Sequence, residues 1–246
     1  RVCAEIYQNL KKVLKNKGYN ISVGDEGGFA PAVSSNEETF ALLTEAVKVS
    51  GYELGKDIIF GIDAAATEFF DNGFYHLKKE NKTMSSAELI AFYQELSERY
   101  PIYSFEDVLA EDDWAGFKAF TEAFEQKVQV VGDDLYVTNV KRLERGIAEK
   151  TTNSILIKLN QIGTLTETIK AINEAWANGM TAVISHRSGE TEDTFIADLV
   201  VAMGTGQIKT GAPARSERTA KYNRLMAIES ELAGQSEYAQ FPFAKK

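Results

Sequence analysis

Cysteine is nearly absent: the 246 residues hold one, Cys3. A single thiol excludes an intramolecular disulfide framework, and with no CxxC or Cys/His cluster nothing suggests zinc. A reducing, cytoplasmic setting is the expectation. Proline is scarce, four in all, and Pro and Gly nowhere gather into a linker, so residues 1–246 read as one domain. Positive charge is in deficit, with 27 Lys and Arg against 36 Asp and Glu and a net charge of −9. That balance repels a polyanion and argues against nucleic acid as a partner. No apolar run approaches the roughly 20 residues of a membrane span. The most apolar stretch near the end, Phe195 to Met203, contains Asp198. An initiating methionine is also missing: Arg1 opens on an amphipathic pattern and not on a signal peptide's apolar core, so the chain reads as truncated.

What is present is 44% hydrophobic and 26% charged, enough apolar material for a sizeable core. From Ala4 to Lys17, Ile6, Leu10, Val13 and Leu14 fall at helical spacing, and Gly18 stands where a C-terminal stop belongs. Ser35 with Glu38, Ser85 with Glu88, and Thr164 with Glu167 have capping-box spacing ahead of apolar series. The third series closes at Gly179. Between helices lie short runs rich in β-branched residues: Ile58 to Ile62, Ile102 to Phe105, Val128 to Val131, Ile155 to Ile157, Ala182 to Ile184 and, more weakly, Gln207 to Lys209. They predict buried parallel strands alternating with helices, an α/β class.

A polar residue stands at the end of each run: Asp63, Glu106, Asp133, Lys158, His186 and Lys209. From Glu106 onward they recur roughly every 25 residues, close to the length of one βα unit when about 250 residues make eight. In a parallel barrel they would all reach the C-terminal rim, where barrel enzymes hold their chemistry. Any one of them alone is more often a helix cap or a solvated charge; six in phase are harder to explain that way.

Three carboxylates, Asp63, Glu106 and Asp133, in a chain with a single cysteine and two histidines, make a hard oxygen set suited to Mg²⁺. Asp134 competes with Asp133, since adjacent strand residues face opposite ways and the dipeptide does not say which points inward. Lys158, inside SILIKLN, puts a charge on a buried strand. Either it pairs with one of the carboxylates, or desolvation and nearby positive charge lower its pKa enough for it to act as a base.

Six strings in order, VGDEGGFAP (Val23 to Pro31), GIDAAATEFF (from Gly61), GDDLYVTN (from Gly132), ILIKLNQIGTL (from Ile155), SHRSGETEDT (from Ser185) and QIKTGAPARSER (from Gln207), resemble the signatures of the enolase family. The resemblance runs the length of the chain. It implies most of a TIM-type enolase barrel, about six βα units, with the family's N-terminal α+β domain and first barrel strands outside the sequence. The implied reaction is Mg²⁺-dependent reversible dehydration of 2-phospho-D-glycerate to phosphoenolpyruvate, a step of glycolysis and gluconeogenesis. By the same resemblance Asp63, Glu106 and Asp133 hold the metal, which favours Asp133 over Asp134. Lys158 is the proton acceptor and Glu26 the proton donor. Arg187 and Ser188 bind phosphate, His186 lines the pocket, and Lys209 lies beside the substrate carboxylate; Lys158, Glu106 and Asp133 also face substrate. Departures are Val108 where the family usually has proline, and ARSER where a cysteine-containing form is more usual; neither replaces a functional side chain.

The resemblance also implies a homodimer or larger homo-oligomer. A further binding role, capture of plasminogen at a cell surface or after secretion, rests on the terminal pair Lys245-Lys246, which solvation explains equally well. A sister chemistry such as racemisation or cycloisomerisation would use the same strand-end carboxylates and lysine base, but it has no need of Arg187 with Ser188.

Overall fold

The structure is a computed structural model that describes residues 1–243; Lys245 and Lys246, which carry the plasminogen expectation, lie outside the described residues. In chain order the elements are α1 (Val2–Asn16), α2 (Asn36–Val49), β1 (Phe60–Asp63), a 3₁₀ turn at Ala66–Phe69, β2 (Phe70–Asp71), β3 (Phe74–Leu77), β4 (Lys82–Met84), α3 (Ser86–Arg99), β5 (Ile102–Glu106), α4 (Trp114–Ala123), β6 (Gln129–Gly132), α5 (Val140–Glu149), β7 (Ser154–Ile157), α6 (Leu159–Ile162), α7 (Leu165–Ala177), β8 (Thr181–Ser185), α8 (Phe195–Met203), β9 (Ile208–Lys209) and α9 (Ser216–Glu231). Each of the parallel strands begins and ends within one or two residues of its predicted run. No helix among the described residues is long and apolar enough to cross a membrane.

The contacts divide the chain into two compact units, one of Arg1–Ile58 with Ile184–Phe241 and one of Ile59–Val183 with the residues from Pro242. In the central unit the parallel strands lie in the order β1, β5, β6, β7, β8. Apart from the antiparallel β2-β3-β4 excursion, neighbours in the sheet are neighbours in sequence with a helix between them, which is the winding of part of a TIM barrel. Helix α3 starts at Ser85 because its hydroxyl takes the Glu88 N–H while the Glu88 carboxylate takes the Ser85 N–H, a complete capping box. Ser35 and Thr164 also cap their helices by accepting the third residue's N–H. At Ser35, however, the Glu38 carboxylate turns to Ser34 and Tyr19.

Helices α3 and α4 are fixed to β5 by aromatic packing. Phe105 meets Tyr93 edge-on with ring centres 5.9 Å apart and Phe120 at 5.3 Å; such pairs add about 0.5–1.5 kcal/mol each beyond their burial. At the N-terminal ends of the strands the buried Gln129 side chain takes the Ser104 hydroxyl at 3.0 Å and donates to Ser154 Oγ at 3.2 Å and Thr181 Oγ1 at 2.9 Å. Those bonds join β5, β6, β7 and β8 in one row, and a buried amide so satisfied fixes strand register. Tyr136 crosses α5 at Gly146, where an added Cβ would lie 2.1 Å from the phenol oxygen.

In the flanking unit α1 and α2 pack through Val13, Leu14 and Leu42, with Leu10, Tyr19, Ile21, Phe29 and Val33 against them. The last residues of β8 pair in parallel with β9, Ile184 with Ile208 and Ser185 with Lys209. Helices α8 and α9 are tied by Arg224, whose Nε and Nη2 both donate to the Asp198 carboxylate at 2.6–3.0 Å.

Candidate active site

In the central unit the strand register determines which side chains share a face. Asp63 pairs with Glu106 across β1 and β5, and Glu106 pairs with Val131 across β5 and β6. Val131, Leu156 and Val183 form one buried cluster, so they mark a common face of β6, β7 and β8. Two residues further along a strand, a side chain returns to the same face. Those positions are Asp133 and Lys158, and Lys158 is still extended, at φ −119° and ψ 106°. The two meet as an ion pair, Nζ to Oδ2 2.5 Å, with 15% and 8% of their side chains exposed. Of the two sequence readings of Lys158, pairing with a carboxylate is therefore observed.

Lys158 is placed by more than its strand. Its N–H donates to Thr138 Oγ1 at 2.9 Å, the Thr138 hydroxyl reaches Gln161 Oε1 at 3.1 Å, and Gln161 Nε2 reaches Asp133 Oδ1 at 3.5 Å. Thr138 and Gln161 thus close a ring around the ion pair. Sequence reasoning passed over both, although each lies in a quoted string.

Asp107 was missed as well. Its buried carboxylate accepts the backbone N–H groups of Asp133 and Asp134, each at 2.9 Å, so it holds the turn that presents Asp133. Burial chiefly, with the charges of Asp133 and Asp134, pushes its carboxyl up to about 7 despite those two donors. Asp134 is pushed up by burial and by Asp133. Among the described residues, ligand oxygens of Asp107, Asp133 and Asp134 lie within 4.8 Å of one another. The oxygen cluster thus groups Asp133 with these two, while Asp63 and Glu106 stand beside each other through register. Asp63 is exposed and Glu106 buried. The signal for Asp107 was its place directly after Glu106, where a reading for strand-end ligands stops one residue early.

The flanking unit carries the remaining predicted residues. Glu26 sits in a loop closed by the Val23–Phe29 bridge and by the Gly24 N–H to the Gly28 carbonyl at 2.8 Å. Gly27, at φ +85°, is required there: an added Cβ would lie 2.6 Å from the Ala214 carbonyl oxygen. Gly211, at φ +82°, meets the same demand from the Glu26 carbonyl at 2.7 Å, and the Ala212 N–H donates to that carbonyl at 2.9 Å. The Glu26 carboxylate accepts the Ser188 hydroxyl at 2.8 Å and faces His186 Nε2 at 3.5 Å. His186 follows β8, its N–H bonded to the Lys209 carbonyl at 2.9 Å. Burial pushes its imidazole down to about 4; the Glu26 and Glu190 charges oppose this, and Arg218 and Lys209 add to it. Arg187 is half-buried, its N–H donating to Glu190 Oε2 at 3.3 Å.

Each unit thus brings several of the predicted residues together. One gathers carboxylates and a shielded lysine; the other gathers an acid, a hydroxyl, an imidazole and two cations. The family model for the enolase C-terminal TIM barrel domain matches residues 1–246.

Proposed function

The chain belongs to the family of enolase C-terminal TIM barrel domains, a family of lyases, and from that premise we propose that it acts as a Mg²⁺-dependent hydro-lyase interconverting 2-phospho-D-glycerate and phosphoenolpyruvate. The observation that carries this reading is the Lys158–Asp133 pair, the lysine side chain 15% exposed and its amine 2.5 Å from a buried carboxylate. A strand-borne lysine beside an acidic cluster is a base next to a cation site, the two parts that proton removal beside a carboxylate requires.

The donor set fits magnesium. All candidate ligands are hard carboxylate oxygens, and the mutual repulsion that adds to burial in raising Asp107 and Asp134 is what a dication would relieve. Asp63, Glu106 and Asp133 would hold it, with Asp107 holding the Asp133 backbone. When bound, the ion draws charge from the substrate carboxylate and makes the neighbouring C–H more acidic.

Lys158 takes the C2 proton as general base. Lys209 stabilises charge that grows on the substrate carboxylate oxygens, an interaction stronger in the transition state than before it. Arg187 and Ser188 hold the phosphate, and His186 lines the pocket. Glu26 passes a proton to the departing C3 hydroxyl, which leaves as water.

Purified protein with Mg²⁺ should convert 2-phosphoglycerate to phosphoenolpyruvate, followed by ultraviolet absorbance, and chelator should stop it. No turnover with Mg²⁺ present, by this chain and by the full-length protein alike, would sink the reading. Titration calorimetry separates the ligand assignments without any turnover. Asp133→Asn should weaken Mg²⁺ binding by about tenfold or more, about 1.4 kcal/mol, and Asp134→Asn by less. The opposite order would make Asp134 the ligand.

A further inference from the structure

Arg218, on α9, is fully buried. A buried guanidinium usually faces a carboxylate, but the partners here are different. Nη1 donates to the Arg187 carbonyl at 2.7 Å and contacts His186 Nδ1 at 2.5 Å. Nη2 donates to the Ser188 carbonyl at 2.7 Å and to the Asp25 carbonyl at 3.1 Å. One planar cation thereby ties the Glu26 loop to the segment after β8 that carries His186, Arg187 and Ser188.

The imidazole contact has a consequence fixed by proton inventory. A guanidinium only donates, so His186 Nδ1 must accept and carries no proton. A neutral ring then keeps its hydrogen on Nε2. That nitrogen is buried, makes no hydrogen bond among the described residues, and lies 3.5 Å from Glu26 Oε2. The charged groups that bear on the ring are Glu26, Arg218, Lys209 and Glu190. Two of each sign surround it, and burial tips the balance toward the neutral form.

We propose that Arg218 is a positioning residue that locks His186 in the neutral Nε2–H tautomer, so that the ring offers Glu26 and a ligand beside it a hydrogen-bond donor and neither an acceptor nor a cation. The push of the imidazole down to about 4 agrees with this geometry. The lock itself needs nothing beyond the contacts above; its value to an acid at Glu26 rests on the function proposed in the preceding section. With a donor facing it, Glu26 loses no proton to the ring, whereas an imidazole with a free lone pair there would compete for one.

Nitrogen-15 imidazole NMR reads the tautomer directly, and the chain has two histidines to resolve. His76, on β3, bonds Thr83 Oγ1 at 3.1 Å and is identified by His76→Gln. Between pH 8 and 5 the native His186 should show an unprotonated Nδ1 and a protonated Nε2, without titrating. In Arg218→Met, Nδ1 should become partly protonated and the midpoint should rise by about one pH unit or more toward the ordinary value near 6.5. If His76 signals show that variant to be unfolded, Arg218→Lys decides. One ammonium cannot serve Nδ1 and three carbonyls together, so the midpoint should move the same way. A native proton on Nδ1, native titration near 6.5, or a folded variant with unchanged tautomer and midpoint would overturn the proposal. Inactivity toward 2-phosphoglycerate with the lock intact would instead remove the proposed reaction and leave the lock standing.

Discussion

Lys158→Ala slows exchange of the C2 proton of 2-phosphoglycerate with solvent by about 10²–10⁴-fold, the range a positioned general base supplies. Exchange measured in deuterated solvent isolates this step from loss of water. The variant also strips Asp133 of its partner at 2.5 Å, so a fall in rate has two physical explanations, a missing base or a disordered cation site. Mg²⁺ affinity separates them. Removing an ammonium beside a carboxylate leaves that carboxylate more attractive to a dication, so binding should hold or tighten while exchange collapses. Exchange at the native rate would end the assignment of Lys158 as the base. Loss of exchange together with Mg²⁺ binding would reduce Lys158 to a support for Asp133.

Glu26→Gln should divide the reaction at a different point, lowering elimination by about 10²–10⁴-fold while sparing much of the C2 exchange. Glutamine has the same shape, and its carbonyl oxygen can still accept the Ser188 hydroxyl that Glu26 accepts at 2.8 Å. The loop itself is held by backbone contacts, the Ala212 N–H and the close approach of Gly211, and these do not depend on the carboxylate. What the substitution removes is a transferable proton. Phosphoenolpyruvate formation and deuterium incorporation, followed in parallel, should therefore diverge. An equal fall in both would place Glu26 in binding or in proton abstraction, and unchanged elimination would remove it from the chemistry.

The legible parts of this chain are those with a period or a fixed offset. The strand ends from Glu106 to Lys209 repeat, and their strands follow within one or two residues. The complete capping box at Ser85 fixes the start of α3. The antiparallel β2–β3 hairpin escaped, although its turn is the dipeptide Asn72-Gly73, both residues in the left-handed region, a recognised hairpin signal. Strands of two and four residues are too short for alternation to show. Helices α4 and α5 were hidden by Gly116 and Gly146, residues that weaken a helical reading and are there because Asp113 and Tyr136 come too close for a Cβ.

In the candidate site, the residues expected to act stood at strand ends and in quoted strings, while the residues that hold them did not stand out. Asp107, Thr138 and Arg218 work by satisfying backbone or ring groups far away in sequence, a role that leaves no periodicity to read. Lys158 shows the limit from the other side. Burial on a strand marked it as exceptional, but sequence left pairing and base chemistry open, and the observed pair with Asp133 is compatible with both.

The flanking unit is discontinuous, made of Arg1–Ile58 and Ile184–Phe241, and this sets an order of events during synthesis. Asp25 and Arg218, which bond across 193 positions, leave the ribosome about 10–40 s apart at roughly 5–20 residues per second. Helices α1 and α2 can pair as soon as they emerge and take Phe29 of the Glu26 loop with them, but the guanidinium that ties the loop to the segment after β8 comes only with α9. The nascent chain therefore carries its acid loop without the Arg218 tie while those 193 positions are made.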